Sequence, residues 1–198
     1  MDATGAPSSR EDVERGPCVC VEGRSIDVEM LEIMRRRRSI RKFAPGDVSD
    51  AEVEALVSAA LLAPSAKNIR PVEIFVLRDA ATIARLAECR DAGGDAFKTA
   101  TLALLVAGRA SESDLWEIDA AIAATHILLQ AEALGLGCCW VQAWKRPCGD
   151  GTVEDAVRRV VDLPQGVSLL CMMALGHGDE EKAPYDLGGL DRSRAHVL

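Results

Sequence analysis

The feature that most constrains the fold is an apolar helix in the middle of the chain. A helical pattern runs from Asp114 to Leu134, and from Ile118 onward it is apolar on almost every side. A helix that is apolar all round is typically buried all round. Because a single domain of 198 residues rarely buries one helix so completely, the sequence predicts a homodimer in which residues 118–134 pack against the same helix of a second copy.

Segments typical of strands alternate with helical patterns along the rest of the chain. The predicted strands are Val72–Leu77, Leu102–Ala107, Cys138–Ala143 and Ser168–Gly176. Leu102–Ala107 is apolar throughout, which predicts a central position. We therefore predict one α+β domain over residues 26–198, with a mixed central β-sheet flanked by helices. Residues 1–25 have no apolar period and are predicted to form a mobile arm.

Capping residues mark where the other helices begin. Ser49 and Glu52 have the spacing of a capping box. Further N-caps are predicted at Asp27, Asp79 and Thr152. The helix after Asp27 is predicted to turn three side chains inward, those of Val28, Leu31 and Met34. Gly135 and Gly137 are predicted to end the apolar helix.

Charge and composition exclude several classes of function. The net charge of -8 argues against a general nucleic-acid binder, since phosphate contacts need clustered cations. No apolar run has the length of a membrane helix and the N-terminus lacks a signal-peptide pattern, so a cytoplasmic protein is expected. The seven Cys residues suit reduced, packed thiols. Cys18 and Cys20 alone offer too few ligands for zinc, so no metal site is predicted.

The densest chemical signal is a basic stretch from Arg36 to Phe43, where the first helix ends. In an extended segment successive side chains point to opposite sides. Arg37, Ser39 and Arg41 then share one side, and two guanidinium groups with a hydroxyl suit a phosphate and an electron-rich ring edge. The alternatives are a solvated basic run, a localisation signal or a nucleic-acid contact.

Four motifs in a fixed order add to this signal. They are Arg37-Arg-Ser-Ile-Arg-Lys-Phe43; Ala63-Pro-Ser-Ala-Lys-Asn-Ile-Arg-Pro71; Asp119-Ala-Ala-Ile-Ala-Ala with Ala133-Leu-Gly-Leu-Gly-Cys-Cys-Trp-Val141; and Leu163-Pro, Ala174-Leu-Gly-His177 and Asp191-Arg-Ser-Arg-Ala-His196. Together they extend from about residue 28 to the end of the chain. In their order and spacing the chain resembles the FMN-dependent nitroreductase family, whose members are intertwined homodimers.

The resemblance implies that the chain binds FMN. The implied contacts come from Arg37, Arg38, Ser39, Arg41, Pro64, Ser65, Ala66, Asn68, Cys139, Trp140, Val141 and Arg194. Arg37 and Ser39 match residues that hold the phosphate and ribityl chain, while Arg41 matches a cation near N1 and O2 of the flavin. A fixed cation there favours the two-electron reduced flavin. Asn68 matches an amide at the pyrimidine edge.

Other implied contacts use the backbone or the tail. Pro64, Ser65 and Ala66 match a loop whose backbone lies near the flavin ring. Cys139 to Val141 match a strand end from which an amide N–H reaches N5, although Trp140 also suits an ordinary core aromatic. Arg194 matches a late arginine that returns to the phosphate, and a solvated tail is the alternative.

The implied activity is hydride transfer from NADH or NADPH through FMN to a nitroaromatic, a quinone or a similar conjugated acceptor. No separate nicotinamide fold is visible, because Gly135-Leu-Gly137 lacks the third glycine of a dinucleotide fingerprint. Both substrates would then use one flavin face, which predicts ping-pong kinetics. The flavin carries the chemistry, so no catalytic acid or base is assigned. The alternatives are a non-catalytic flavin-binding scaffold, or a flavin-fragmenting or dehalogenating enzyme of the same fold.

Two positions depart from the family pattern. Gln142 stands where a glycine is usual, and we expect it either to crowd the flavin or to give it a side-chain partner. His126 stands where the central helix usually has Asn or Gln. On an apolar helix a lone histidine is more often a packed residue than a catalyst, so no role is assigned to it.

Overall fold

The computed structural model describes residues 30–198. The predicted arm at residues 1–25, the pair Cys18 and Cys20, and the predicted helix start at Asp27 lie outside this range. Within the described range no helix combines the length and the apolar character needed to cross a membrane.

The centre of the fold is a four-stranded sheet, and a two-stranded hairpin lies beside it. The strands are β1 (Val72–Leu77), β2 (Leu102–Gly108), β3 (Gly137–Gln142), β4 (Pro147–Cys148), β5 (Gly151–Thr152) and β6 (Ser168–Gly176). The main sheet has the order β1-β2-β6-β3, and each of these pairs is antiparallel. Its parallel component is one isolated bridge between Ser39 and Cys138. The four predicted main strands are thus confirmed, and β2 is fully buried as expected.

In the described part of the chain, five helices surround the sheet. They are α1 (Met30–Arg36), α2 (Asp50–Leu61), α3 (Ala80–Arg85), α4 (Trp116–Ala133) and α5 (Val153–Arg158). The predicted capping box at Ser49 and Glu52 is confirmed, because each side chain bonds the backbone of the other residue. The predicted caps at Asp79 and Thr152 are confirmed as well. Each of these polar residues satisfies amide groups that the first helical turn leaves without a partner.

The two faces of the sheet carry separate cores. Alternate residues of β2 point to opposite faces, so Leu104 packs with α2 and α4 while Leu105 packs with α3 and α5. The same alternation in β3 sends Cys138 to the α4 side and Cys139 to the α5 side. The fold is therefore a helix–sheet–helix sandwich of the predicted α+β class.

The prediction that α4 is buried all round is wrong for a single protomer. One side of α4 packs on the sheet and on α2, and it includes Ala120, Ala124 and Ile127. On the opposite side Ile118 is 53% exposed and Thr125 is exposed. The sheet can cover only the side of the helix that faces it, so within the protomer an apolar face of α4 stays at the surface.

The prediction for the first helix also needs correction. Leu31 and Met34 are exposed, and Ile33 is the buried residue of α1. Val28 lies outside the described residues. The helix has only seven residues and packs mainly on α4. A short helix with one main neighbour buries a single row of side chains, and Ile33 occupies that row.

Candidate functional site

The basic segment, residues 37–43, lies along the free edge of β3. Ser39 forms the parallel bridge with Cys138, and the Ile40 N–H donates to the Cys138 carbonyl at 3.1 Å. At its other end Phe43 pairs with Gly178 and is only 4% exposed. The segment is thus held as an additional short strand between β3 and the chain that follows β6.

Gly137 allows this close approach. A Cβ atom at this position would lie 2.8 Å from Cγ2 of Ile40, closer than packed carbon atoms can come. The predicted role of Gly137 as a helix stop is therefore wrong, because the residue opens β3. Gly135, with a φ of 75°, does end the helix, since this left-handed conformation favours glycine.

The arginine side chains of this segment differ in the partners that they contact within the protein. Within residues 30–198 the Arg37 guanidinium makes no hydrogen bond or ion pair, and that of Arg41 has only the Ser39 carbonyl at 3.5 Å. Arg38 instead donates to the Ala183 carbonyl and lies 4.6 Å from the ring centre of Tyr185. Arg37 and Arg41 therefore keep donors for a ligand, while Arg38 holds the C-terminal segment.

The C-terminal end of α4 lies beside these cations. Arg36 pairs with Glu132 at 3.3 Å. Burial raises the pKa of the Glu132 carboxyl, and the positive charges of Arg36 and Arg37 oppose that shift. The pair fixes the end of α1, where the basic segment begins, to the last turn of α4, whose dipole also favours cations.

The edge of β3 presents free backbone groups next to the basic segment. The Cys138 carbonyl faces outward to Ile40, and the Gln142 carbonyl faces outward to Arg90, whose Nη1 is 2.9 Å away. Because a strand repeats every two residues, the N–H and C=O of Trp140 face the same edge. Among residues 30–198 no backbone carbonyl accepts the Trp140 N–H. The side chains of Cys139 and Val141 point into the core.

The Gln142 side chain has partners within the protein. It accepts from the indole Nε1 of Trp140 at 2.8 Å and donates to the Trp144 carbonyl at 3.3 Å. Trp144 in turn meets Trp116 edge to face, with ring centres 4.8 Å apart. These contacts lie on the α4 face of the sheet, so Gln142 connects the end of β3 with the start of α4.

A second group of predicted residues lies in the Pro64 loop, residues 64–70. The loop contains a short 3-10 turn at Ala66–Asn68. Lys67, Asn68 and Arg70 all have positive φ, at 52°, 56° and 57°. Such backbone is strained for residues other than glycine. The Ser65 hydroxyl accepts from the Arg70 N–H at 2.9 Å, and the Asn68 side-chain oxygen accepts from Arg70 Nε at 3.0 Å.

Asp119 anchors this loop and was missed as a functional residue at the level of sequence. Its Oδ1 accepts the Ala66 N–H at 2.8 Å, and the residue is only 2% exposed. Its Oδ2 has no partner among residues 30–198. The signal was present in the sequence as an acidic residue near the start of an apolar helix, where Glu117 is the other acidic residue of the first turn.

A single protomer does not bring the two groups together. The Pro64 loop is tied to α4 at Asp119, and the basic segment is tied to it at Glu132. These residues are 13 positions apart on α4, which corresponds to about 20 Å at about 1.5 Å per residue. The site predicted from the four motifs is therefore divided into two halves at opposite ends of one helix.

The predicted tail contact at Arg194 belongs to neither half in this structure. Arg194 ends a short exposed turn that the Asp191 side chain caps. Within the described residues its guanidinium has no hydrogen-bond partner. Its role toward a phosphate stays a prediction.

The cysteines of the described range are free thiols that pack in the core or at its edge. Cys138, Cys139 and Cys171 are buried, and burial raises the pKa of all three thiols. Burial also raises the pKa of Cys89, to about 11. These thiols stay protonated at neutral pH, so none of them is an activated nucleophile.

Comparison with known proteins agrees with this architecture. The sequence model of the nitroreductase family matches residues 34–89 and 88–177. An Archaeoglobus fulgidus protein with the provisional name NADH dehydrogenase/NAD(P)H nitroreductase is 30% identical over 162 residues, covering 80% of this chain and 90% of its own. The chain belongs to the nitroreductase family.

Solved structures give the same result. An FMN-dependent nitroreductase from Clostridium difficile is 36% identical, with a TM-score of 0.82 over 84% of this chain and 98% of its own. A provisionally named nitroreductase from Desulfovibrio desulfuricans, solved in complex with FMN, is 25% identical, with a TM-score of 0.66 over 82% of this chain and 95% of its own. The predicted nitroreductase-like α+β fold is confirmed.

Proposed function

We propose that two copies of the chain bind FMN between them and transfer electrons from NADH or NADPH to a conjugated acceptor such as a nitroaromatic or a quinone. The observation that carries the proposal is the pair of half-sites at opposite ends of α4. FMN, when bound, supplies two-electron hydride chemistry at its N5 atom.

The residues of the basic segment fit an anionic cofactor. Counting partners among residues 30–198, the Arg37 and Arg41 guanidinium groups have spare donors, and the backbone between them is fixed on the edge of β3. Preorganised guanidinium forks suit a phosphate, and a cation near the pyrimidine ring stabilises negative charge that develops there. The outward N–H of Trp140 lies on the same strand edge and offers a hydrogen-bond donor for a ring nitrogen.

The Pro64 loop supplies a different chemistry. The Asn68 amide uses its oxygen for Arg70, so its NH₂ group is left for a carbonyl of the flavin pyrimidine edge. The backbone of Pro64, Ser65 and Ala66 offers close packing against a ring system. In a single protomer this loop is out of reach of the basic segment, so each site takes the loop from the partner copy.

The surface of the protomer supports such a dimer. Besides the exposed face of α4 at Ile118 and Thr125, the protomer has a groove of about 610 Å³ between α1, α2 and α4. The groove is lined largely by apolar side chains, among them Met30, Leu62 and Leu129. His126, whose Nδ1 lies 3.0 Å from the Ala59 carbonyl, joins α4 to α2 within the lining of the groove. An apolar face of this extent is typical of a subunit interface.

Spectroscopy of the purified protein tests the proposal. We expect a flavin spectrum after incubation with FMN and gel filtration, and anaerobic bleaching of that spectrum on addition of NADH or NADPH. Reoxidation of the reduced flavin by a quinone or a nitroaromatic should follow second-order kinetics. In steady-state turnover with both substrates, double-reciprocal plots should give parallel lines. Protein that does not retain FMN would refute the proposal, and bound flavin that neither nucleotide bleaches would favour a non-catalytic flavin-binding dimer.

A further inference from the structure

The chain that follows β6 returns across the basic segment. We name residues 179–185 the tail strap. Its backbone bonds the chain at both ends of the basic segment, because the Asp179 N–H donates to the Lys42 carbonyl at 2.9 Å and the Tyr185 N–H donates to the carbonyl of Arg35, in the last turn of α1, at 2.9 Å. The basic segment therefore lies between β3 on one side and the tail strap on the other.

Two charged side chains of the strap contact the middle of the segment. The Lys182 ammonium donates to the Ser39 carbonyl at 2.5 Å and to the Glu180 carboxylate at 3.1 Å. The same carboxylate oxygen of Glu180 accepts the Arg41 N–H at 2.5 Å. Both side chains are about three-quarters buried, with 24% and 23% of their surface exposed.

These contacts hold the backbone polar atoms on either side of Ile40. The Ser39 carbonyl has Lys182, the Ile40 N–H has the Cys138 carbonyl, and the Arg41 N–H has Glu180. With these atoms fixed, the segment cannot rotate about its own axis. In an extended backbone this keeps the side chains of Ser39 and Arg41 on a common side.

We infer that Glu180 and Lys182 act as a pair of positioning residues, which hold the Ser39–Arg41 backbone so that the basic segment presents its donors to the FMN phosphate. The inference rests on the proposed FMN site and adds two residues that the sequence motifs did not include. The hydrogen bond from the Arg41 N–H, followed by the contact with Lys182, keeps the pKa of the Glu180 carboxyl below its ordinary value, so this carboxyl stays ionised at neutral pH.

A purely electrostatic role and a positioning role for Glu180 predict opposite changes in FMN affinity when its carboxylate is removed. Removing a carboxylate from a site for an anion should strengthen binding if only the local charge matters. Removing it should weaken binding if the carboxylate holds the backbone. The sign of the change therefore separates the two roles.

The test uses the purified 198-residue chain and the quenching of flavin fluorescence to measure the Kd for FMN and for riboflavin, which lacks the phosphate. We expect Glu180→Ala and Lys182→Met each to weaken FMN binding about tenfold, as loss of a charge-assisted hydrogen bond implies, with a smaller effect on riboflavin. The double variant should also bind FMN no more than about tenfold more weakly than the wild type, because the two residues act as one unit. Lys182→Arg should restore part of the affinity.

Glu181→Ala is the matched control, since Glu181 is exposed and adjacent; it should bind FMN like the wild type. Glu180→Ala with unchanged or tighter FMN binding would overturn the inference, and so would equal losses for FMN and riboflavin that follow a lowered melting temperature. A wild-type protein that binds no FMN would instead overturn the proposed function on which the inference rests.

Discussion

The two halves of the candidate site are held in contrasting ways. The basic segment is fixed from two sides, by β3 and by the tail strap, and the backbone polar atoms on either side of Ile40 are bonded within the protomer. The Pro64 loop has one bond to α4, through Asp119, and three of its residues have positive φ. The first half is preorganised by the fold, whereas the second is a strained loop on a single anchor.

The difference indicates a division of labour. Groups that bind a phosphate through charge gain most from fixed geometry, because the ordering of their side chains is completed during folding. A loop that packs on a ring system can accept some freedom until the ligand and the second protomer cover it. Substitutions in the basic segment should therefore change mainly FMN affinity, whereas substitutions in the Pro64 loop should change stability as well. The largest effect is expected at the proposed interface between protomers and the smallest at the end of β3.

Placing charge on the exposed face of α4 should have the largest effect. The double variant Ile118→Lys, Thr125→Lys puts two cations on the proposed interface while leaving the packed side of the helix intact. We expect a folded monomer by sedimentation and complete loss of retained FMN, because each half-site loses its complement. Val76→Lys changes an exposed apolar residue on β1 and should remain a dimer with bound flavin. A monomeric double variant that retains FMN would show that one protomer makes the whole site.

The second-largest effect is expected when the Arg37 or Arg41 guanidinium group of the basic segment is removed. Arg37→Ala and Arg41→Ala should each weaken FMN binding by on the order of a hundredfold, since a charge-assisted contact contributes about 2–3 kcal/mol. Thermal stability should change little, because neither group has a strong partner among residues 30–198. Lys42→Ala removes the same charge from the other side of the segment and should keep nearly full affinity. Equal losses in all three variants would indicate a diffuse charge effect.

Removing the anchor of the Pro64 loop should act on stability and on binding together. Asp119→Ala deletes a buried acceptor of the Ala66 N–H, which should cost about 1–3 kcal/mol of unfolding free energy and also weaken FMN binding. Asp119→Asn keeps an acceptor oxygen and should lose less. Chemical denaturation with and without FMN measures both effects, and Asp114→Ala at an exposed position is the control. If Asp119→Ala changes stability alone, the loop has no part in the site.

The smallest effect is expected at Gln142. Gln142→Gly removes two side-chain hydrogen bonds, to Trp140 and to Trp144, and should cost about 1 kcal/mol of stability. Because its side chain is turned to the α4 face, FMN affinity should change by less than threefold, which is below about 0.7 kcal/mol. Fluorescence of the tryptophans should report the loosened contact. A large change in FMN affinity would place Gln142 against the flavin itself.

The sequence predicted the elements of the fold better than their surroundings. Hydrophobic runs and capping residues located the strands and the helix starts, because these are local properties of the chain. Burial depends on what packs against each face, so the predictions for α4 and for Leu31 and Met34 were wrong for the protomer. The prediction that Gly137 ends the helix was also wrong. Its actual role depends on a close contact with Ile40, nearly 100 residues away in sequence, which a local pattern does not show.

The candidate site was predictable only in part. The alternation of an extended segment indicated that Arg37 and Arg41 share a side, and the structure leaves both with free donors. The commitment of Arg38 to Ala183 and Tyr185 could not be predicted, because it depends on the path of the tail. Asp119 begins one of the four motifs, but its bond to the Pro64 loop is a tertiary contact that the motif does not show. Glu180 and Lys182 belong to none of the motifs, and their roles emerge only from tertiary contacts.

Complementation between two inactive variants tests most directly whether each site combines halves of different protomers. Arg41→Ala damages the basic segment and Asn68→Ala damages the Pro64 loop. If each homodimer loses its FMN, a heterodimer of the two, purified through different tags, should contain one intact site and one doubly damaged site. The account predicts half of the wild-type flavin content in that heterodimer. A heterodimer as empty as its parents would contradict it, because both halves would then come from the same chain.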